Sequence, residues 1–429
     1  MKKVFGVLFF VLLVLNFISC KKKEETVSAQ DLCFDIQRIQ LDMAYSALKE
    51  FYDPEPFEQI KAEIMEGKLN RLDCIFRIKE ILSEYHCVHL SLQPIDSNDL
   101  YSKIVPFYFY CYGQDYHVYY TIEKYKKYLG WKLVELGGKS IEEARDIIIK
   151  YSPYSFETQA GEKYALEYDL SYLCFKLGGL TQKNGKVKFC FESAEGKIET
   201  IYCSPITQSS YTKFYRLAPP KQNEDLPYDA RYKNYDIKPS ADKRTVYVHY
   251  NKCSEDNKYP VNEWIADLVN ELKSGAYDTV VFDLRYNPGG NIELKLNHCL
   301  YNNKEELEKY NLAIITSGRT YSCSCRFMDD FLRTFPKVKI FGEETGQAVL
   351  NYTSVSPNNV LKKLNCIFLY PNQLEETPEL YKRAQEVMHS DIHRGTMPDV
   401  EVYESFEDFM NGKDMVYDTI YEYFSENVI

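Results

Sequence analysis

The sequence predicts an α/β fold for its C-terminal part, behind a helical region and a strand-rich one. Three observations predict it. The short apolar runs Thr279-Val280-Val281-Phe282, Leu312 to Ile315 and Val338 to Phe341 have the texture of parallel strands covered on both faces. The amphipathic stretches Trp264 to Leu272 and Ser322 to Arg333 stand between such strands, and strand–helix–strand of this length is the α/β crossover pattern. Upstream, the apolar spacing is helical over about 30–95 and mainly alternating over about 104–203.

Taken in order, the chain opens with Met1-Lys2-Lys3 and an apolar run from Val4 to Ile18. Fifteen helical residues rise only about 22 Å, short of a bilayer core of about 30 Å. The cationic start, apolar middle and small Ser19 fit a secretory leader over residues 1–19. Phe17-Ile18-Ser19-Cys20 resembles a bacterial lipobox, which implies acylation of Cys20 and a lipid-anchored body in the cell envelope.

Residues 20–100 read as an N-terminal helical region, with Leu32, Ile36, Ile39, Met43 and Leu48 at mostly helical spacing up to Pro54. A second helical pattern runs from Ile60 to Leu82 and ends in Glu84-Tyr85-His86-Cys87-Val88-His89-Leu90. Residues 101–205 read as an α+β unit. Phe107 to Ile122 is a hairpin about Gly113, Leu133 to Lys139 a strand and turn, Ile141 to Ile149 a helix, and Val187 to Tyr202 a second hairpin. Residues 206–243, rich in Pro, Ser, Asn, Lys and Asp, read as a polar connector, and 244–429 as the α/β region.

Composition narrows the function. Of 429 residues, 63 are acidic and 52 basic, a net charge of −11. Loss of residues 1–19 removes two Lys and no acid, leaving −13. That balance argues against general nucleic-acid binding, which needs a cationic surface. Twelve Cys follow Cys20 without a CxxC pair, and a chain this long builds a core without staples, so mostly free, buried thiols are expected. His86-x-x-His89 has no third ligand at zinc spacing, so neither a metal nor a cofactor is expected.

Two loops that follow predicted strands carry the chemistry, at the strand ends where α/β sheets bind ligands. Asp283-Leu284-Arg285-Tyr286-Asn287-Pro288-Gly289-Gly290 offers bare amides to an anion, or serves as a plain Pro-Gly turn. Gly318 to Phe327 places Ser322 at a helix N-terminus, where Ser is either a cap or a group facing amides and a favourable dipole. Cys323 and Cys325 stand beside it as alternative thiol nucleophiles.

These strings, with Gly342-Glu343-Glu344-Thr345-Gly346 and Met397-Pro398-Asp399-Val400-Glu401-Val402, resemble in order and spacing the tail-specific (C-terminal processing) serine peptidases over residues 245–403. The resemblance implies a crotonase/Clp-protease-like superhelical catalytic domain. It implies Ser322 as nucleophile, and an oxyanion hole from Gly289 or Gly290 with Cys323. The processing branch uses a Lys about 25 residues on, where this chain has Gln347, so a Ser–Lys dyad is not expected. The tricorn-core branch, shared with the repeats of interphotoreceptor retinoid-binding protein, supplies an upstream His. The resemblance puts that role on His86, with His89 the weaker candidate by spacing. Its acid falls shortly before Gly395-Thr396-Met397-Pro398-Asp399, where the matching position holds Ile392 and the neighbouring Asp391 is the candidate.

Gly130 to Ile141 resembles a piece of the PDZ-like module of these peptidases, which captures extended peptides by strand addition. The reading is therefore a lipid-anchored serine endopeptidase acting on polypeptides, with closure between regions bringing His86 to Ser322. The alternative is a non-catalytic peptide- or ligand-binding lipoprotein on the same scaffold.

Overall fold

The computed structural model describes residues 27–426, apart from 96–102, 153–155, 169–170, 208–213, 219–232, 243, 275–276, 356–358, 376 and 389–393. Cys20 and Asp391 thus lie outside the described residues. Among those described, no helix is long and apolar enough to cross a membrane.

The N-terminal helices begin where a cap residue precedes a helical apolar period. Ser28 Oγ accepts the Asp31 N–H at the start of Ala29–Tyr45. At Arg71–Ser83, Asn70 Oδ1 accepts from Leu72 and Asp73 while the Asp73 carboxylate accepts the Asn70 N–H, a capping box. With Glu55–Met65 between them, they bury Ile36, Ile39, Met43, Phe57, Ile60, Ile78 and Leu82 in one cluster. Leu361, Leu364 and Phe368 from far along the chain share that cluster.

Backbone pairing explains the sharing. Past a turn in which the Leu90 N–H donates to the Cys87 carbonyl (3.0 Å), Ser91–Pro94 runs antiparallel to Cys366–Leu369. Buried Asp35 accepts the Lys363 and Leu364 N–H groups at 2.7 and 2.9 Å. The segment carrying His86 and His89 is therefore pinned to the C-terminal part of the chain.

The middle region is an antiparallel sheet in the order Phe107–Tyr112, Asp115–Ile122, Lys132–Leu136, Val187–Glu192, Ile198–Cys203. Its core is aromatic, with the Phe107, Phe189, Phe191 and Tyr128 rings in mutual contact. The helix Ile141–Tyr151, opened by a Ser140–Glu143 capping box, packs on it through Ala144 and Ile148. The stretch expected to be a connector is not all loop. Phe214–Arg216 pairs with Asp115–Ile122, and Tyr235–Pro239 forms the edge of the next sheet, because Tyr235 and Ile237 alternate into a core.

That next sheet runs Tyr235–Pro239, Thr245–Tyr250, Thr279–Asp283, Asn311–Thr316, Lys339–Gly342, Val400–Glu401, parallel from the second strand onward. Strand alternation sends Val246, Val248, Val280, Phe282, Leu312 and Ile314 to one face. There they meet Trp264 and Leu268 of Val261–Ser274, Leu296 of Glu293–Asn302, and Phe327 and Phe331 of Cys323–Thr334. Tyr247, Val281, Ala313 and Ile315 go to the other face, under Val416, Tyr417 and Ile420 of Met415–Glu426. Cover on both faces is the reason these strands are apolar throughout.

Candidate active site

The strand Asn311–Thr316 ends in a tightly bonded loop. Ser317 Oγ donates to the Arg285 carbonyl (2.6 Å), Thr320 Oγ1 to that of Leu284 (2.9 Å), and the Tyr321 N–H to that of Asn287 (3.0 Å). These bonds lace the loop to the Asp283–Gly290 segment. The two strings that stand 30 residues apart in sequence become one surface.

Ser322 caps the helix Cys323–Thr334 with φ 55° and ψ −127°. A non-glycine residue there costs on the order of 1–3 kcal/mol and needs surroundings that hold it. Its N–H is taken by Gln347 Oε1, and its carbonyl accepts from Cys325 and Arg326 at the first helical turn (2.9 and 3.2 Å). Gln347, which stands where the processing branch has its Lys, is buried, and its side chain serves as acceptor for the Ser322 N–H.

Gly289 and Gly290 lie against this turn. A Cβ on Gly289 (φ 95°) would sit 2.6 Å from Ser322 Cβ and 2.9 Å from Cys323 N, so only glycine lets the loop approach. The two amides differ. The Gly289 N–H donates to Asn287 Oδ1 (2.9 Å), whereas among the described residues no acceptor takes the Gly290 N–H. Of the expected oxyanion donors, Gly289 is thus already engaged, and Gly290 with Cys323, the first residue of the helix, remains suited to an anion. Gly289→Ala forces Ser322 and Cys323 out of place, and is expected to lower kcat/KM on a peptide substrate by about 10²-fold or more. Wild-type rates in that variant would show that the approach does not matter.

The structure brings His89, and not the expected His86, to Ser322. His89 Nε2 lies 3.2 Å from Ser322 Oγ. His86 is exposed, and its Nδ1 lies 3.1 Å from the Phe156 carbonyl. The cause is local: His86 takes a left-handed conformation (φ 45°), so the chain reverses and the Cys87–Leu90 turn carries His89 inward instead. The reach is present without the closure between regions that was expected.

Behind His89, sequence reading missed two residues. Asn351 Nδ2 donates to Glu375 Oε2 (2.6 Å), the two facing each other across the ladder Asn351–Val355 with Pro371–Glu375. His89 Nδ1 and Asn351 Oδ1 are both buried without a hydrogen bond. Burial pushes the His89 pKa below its usual value, with the Tyr352 backbone and Asn351 pulling weakly the other way. The imidazole is therefore neutral at pH 7, as a general base must be. The thiol alternative fades for Cys325, whose buried sulfur has its pKa pushed far up by desolvation. Among the described residues no group of three His, Cys, Asp or Glu is placed to hold a metal.

No family model and no curated protein matches the sequence. Solved structures do. Mature CPAF, complexed with lactacystin, superposes with a TM-score of 0.61 at 10% identity, over 93% of this chain and 98% of that one. A serine-to-alanine CPAF mutant gives 0.57 at 10% identity, over 91% and 96%. The chain has the fold of mature CPAF. The tricorn protease gives 0.42 at 14% identity, over 93% of this chain and 37% of that one. In this fold as the chain builds it, Ser322, His89, Gly290 and Cys323 converge at the end of the parallel sheet, and Asn351 and Glu375 stand behind the imidazole.

Proposed function

We propose that this chain is a serine endopeptidase that works outside the cytoplasm, tethered by a lipid on Cys20. The observation that carries the chemistry is the 3.2 Å separation of His89 Nε2 and Ser322 Oγ at a strained helix N-terminus. His89 takes the Ser322 proton as Oγ attacks a peptide carbonyl, then returns it to the leaving amine. The Gly290 and Cys323 amides meet the developing oxyanion. In that tautomer Nδ1 carries the hydrogen, with Asn351, held by Glu375, beside the ring to accept it.

The substrate is a polypeptide. The middle region, with the Gly130 to Ile141 element that resembles a PDZ-like module, ends in the edge strand Ile198–Cys203, whose Ile198 and Tyr202 are exposed. An unpaired edge of that kind suits capture of an extended chain by strand addition. The superhelical arrangement of the catalytic domain and the division at 20–100, 101–205, 206–243 and 244–429 belong to the same reading. The lipobox and the leader, with the acidic body behind them, support the anchor.

A fluorophosphonate probe tests the chemistry. The mature chain is expected to take one label, lost in Ser322→Ala, and to cleave denatured casein. Absence of both label and cleavage would leave a binding protein on a peptidase scaffold. Incorporation of labelled palmitate, abolished by Cys20→Ala, tests the tether.

A further inference from the structure

A cavity of about 440 Å³ opens between the N-terminal helices and the segment from Ala348 to Tyr352. Two of its lining residues are chain neighbours of the site residues. His86, on its rim, precedes His89 by three residues, and Ala348 follows Gln347, which holds the Ser322 N–H. Leu48, Phe51, Ile81 and Leu350 give it apolar sides. Asp53, Glu84 and Glu157 also line it, and no Lys or Arg is among the lining residues.

Glu157 points to the occupant. It is buried, and its two oxygens accept the Val88 and Ala348 N–H groups at 2.9 Å each. One carboxylate thus bridges the backbone beside His89 to the backbone beside Gln347. Those bonds favour its ionised form, yet burial outweighs them and pushes its pKa up to about 8, with the negative charge of Glu375 acting in the same direction. No cation offsets the burial. Of the other groups facing the cavity, Tyr85 and Tyr352 are held neutral by burial, and His86 has its Nδ1 at the Phe156 carbonyl. Without a counter-charge the buried carboxyl is therefore mostly protonated at pH 7, and a cation entering the cavity favours its ionised form.

We propose that this cavity is the specificity subsite of the site above and takes a lysine or arginine side chain of the substrate. Its aliphatic stem lies along the apolar walls, and its cationic head meets Glu157, Asp53 and Glu84. An uncharged apolar side chain of the same length fills the walls but gives the three acidic groups no counter-charge. The inference rests on the endopeptidase reading for turnover, though not for binding.

The test compares a peptide bearing lysine with the same peptide bearing norleucine. The mature chain is expected to favour lysine by about tenfold or more in kcat/KM, as a charge-assisted contact with a buried carboxyl implies. The Ser322→Ala chain is expected to bind the lysine peptide tighter by a similar factor, measured by calorimetry, so the result stands even if the peptidase reading fails. Asp53 and Glu84 are exposed, so the double variant Asp53→Asn/Glu84→Gln folds and is expected to reduce the ratio several-fold. Glu157→Gln removes the buried carboxyl that a bound cation would ionise and is expected to reduce it further. Equal binding of the two peptides, binding of neither, or an unchanged ratio in the double variant would overturn the proposal.

Discussion

Ser322→Ala and His89→Ala are each expected to lower kcat/KM by about 10³-fold or more, with the unfolding midpoint little changed. Neither side chain anchors the fold: Ser322 holds its conformation through main-chain bonds to Gln347, Cys325 and Arg326, and His89 Nδ1 is without a hydrogen bond. His86→Ala is expected to cost at most about tenfold, because its ring faces the rim of the adjoining cavity and not Ser322. A His86 variant as inactive as His89→Ala would show that the 3.2 Å contact is not the catalytic one. Acidity gives a second readout. Burial lowers the His89 pKa, so the base stays neutral until the pH falls below its usual 6.5. The acid limb of the kcat/KM profile is therefore expected to have its midpoint below pH 6.5. Stability carries the same sign, since a buried neutral His loses stability as pH falls through the unfolded-state value. Asn351→Ala is expected to cost about 10- to 100-fold, through orientation of the ring.

Much of this site was legible because its chemistry is local in sequence. A Pro-Gly-Gly turn after one buried strand and a Ser at the head of the helix after the next mark the two loops that the structure brings together, and the family resemblance supplies their proposed roles. The parallel strands were equally plain, since Val280, Val281 and Phe282 need cover on both faces. The histidine was not plain. Two imidazoles three residues apart exchange roles on the backbone angle of one residue, and nothing in Glu84-Tyr85-His86-Cys87 announces φ 45° at His86. The groups behind the imidazole were hidden for a different reason. Asn351 and Glu375 meet through the register of an antiparallel ladder, so their spacing of 24 residues carries no motif. Gln347 was legible only as a missing lysine; its bond to the Ser322 N–H gives it a structural use. The edge strand Tyr235–Pro239 was lost in a polar stretch because only Tyr235 and Ile237 of its residues face the core.

The largest effect on stability is expected at Arg319, inside the nucleophile loop. Its guanidinium grips Glu167 of the middle region through Nε and Nη2 (2.8 and 2.7 Å), and Nη2 also donates to the Cys111 carbonyl (3.2 Å). The rings of Tyr164 and Tyr110 lie 3.9 and 4.3 Å from it. Both charged side chains are at most 9% exposed, so bulk salt screens them little and a lone survivor has no water to turn to. Removing one partner of such a pair costs about 3–5 kcal/mol, mostly the penalty of the charge left behind. Arg319→Ala is therefore expected to lower the unfolding free energy by about that amount in a urea titration, and Glu167→Ala by a similar one. Replacing both, as Arg319→Met with Glu167→Leu, is expected to recover most of the loss, because the desolvation penalty disappears with the charges. Activity separates packing from positioning. Arg319 is three residues from Ser322, and Gly318 approaches Ala160 too closely for any Cβ, so the pair sets how the loop seats on the middle region. The double replacement is expected to regain stability yet keep a depressed kcat, since two apolar side chains fill the space without fixing the loop's angle. A loss under about 1 kcal/mol for Arg319→Ala would show that the loop is seated by its bonds to Leu284, Arg285 and Asn287 alone.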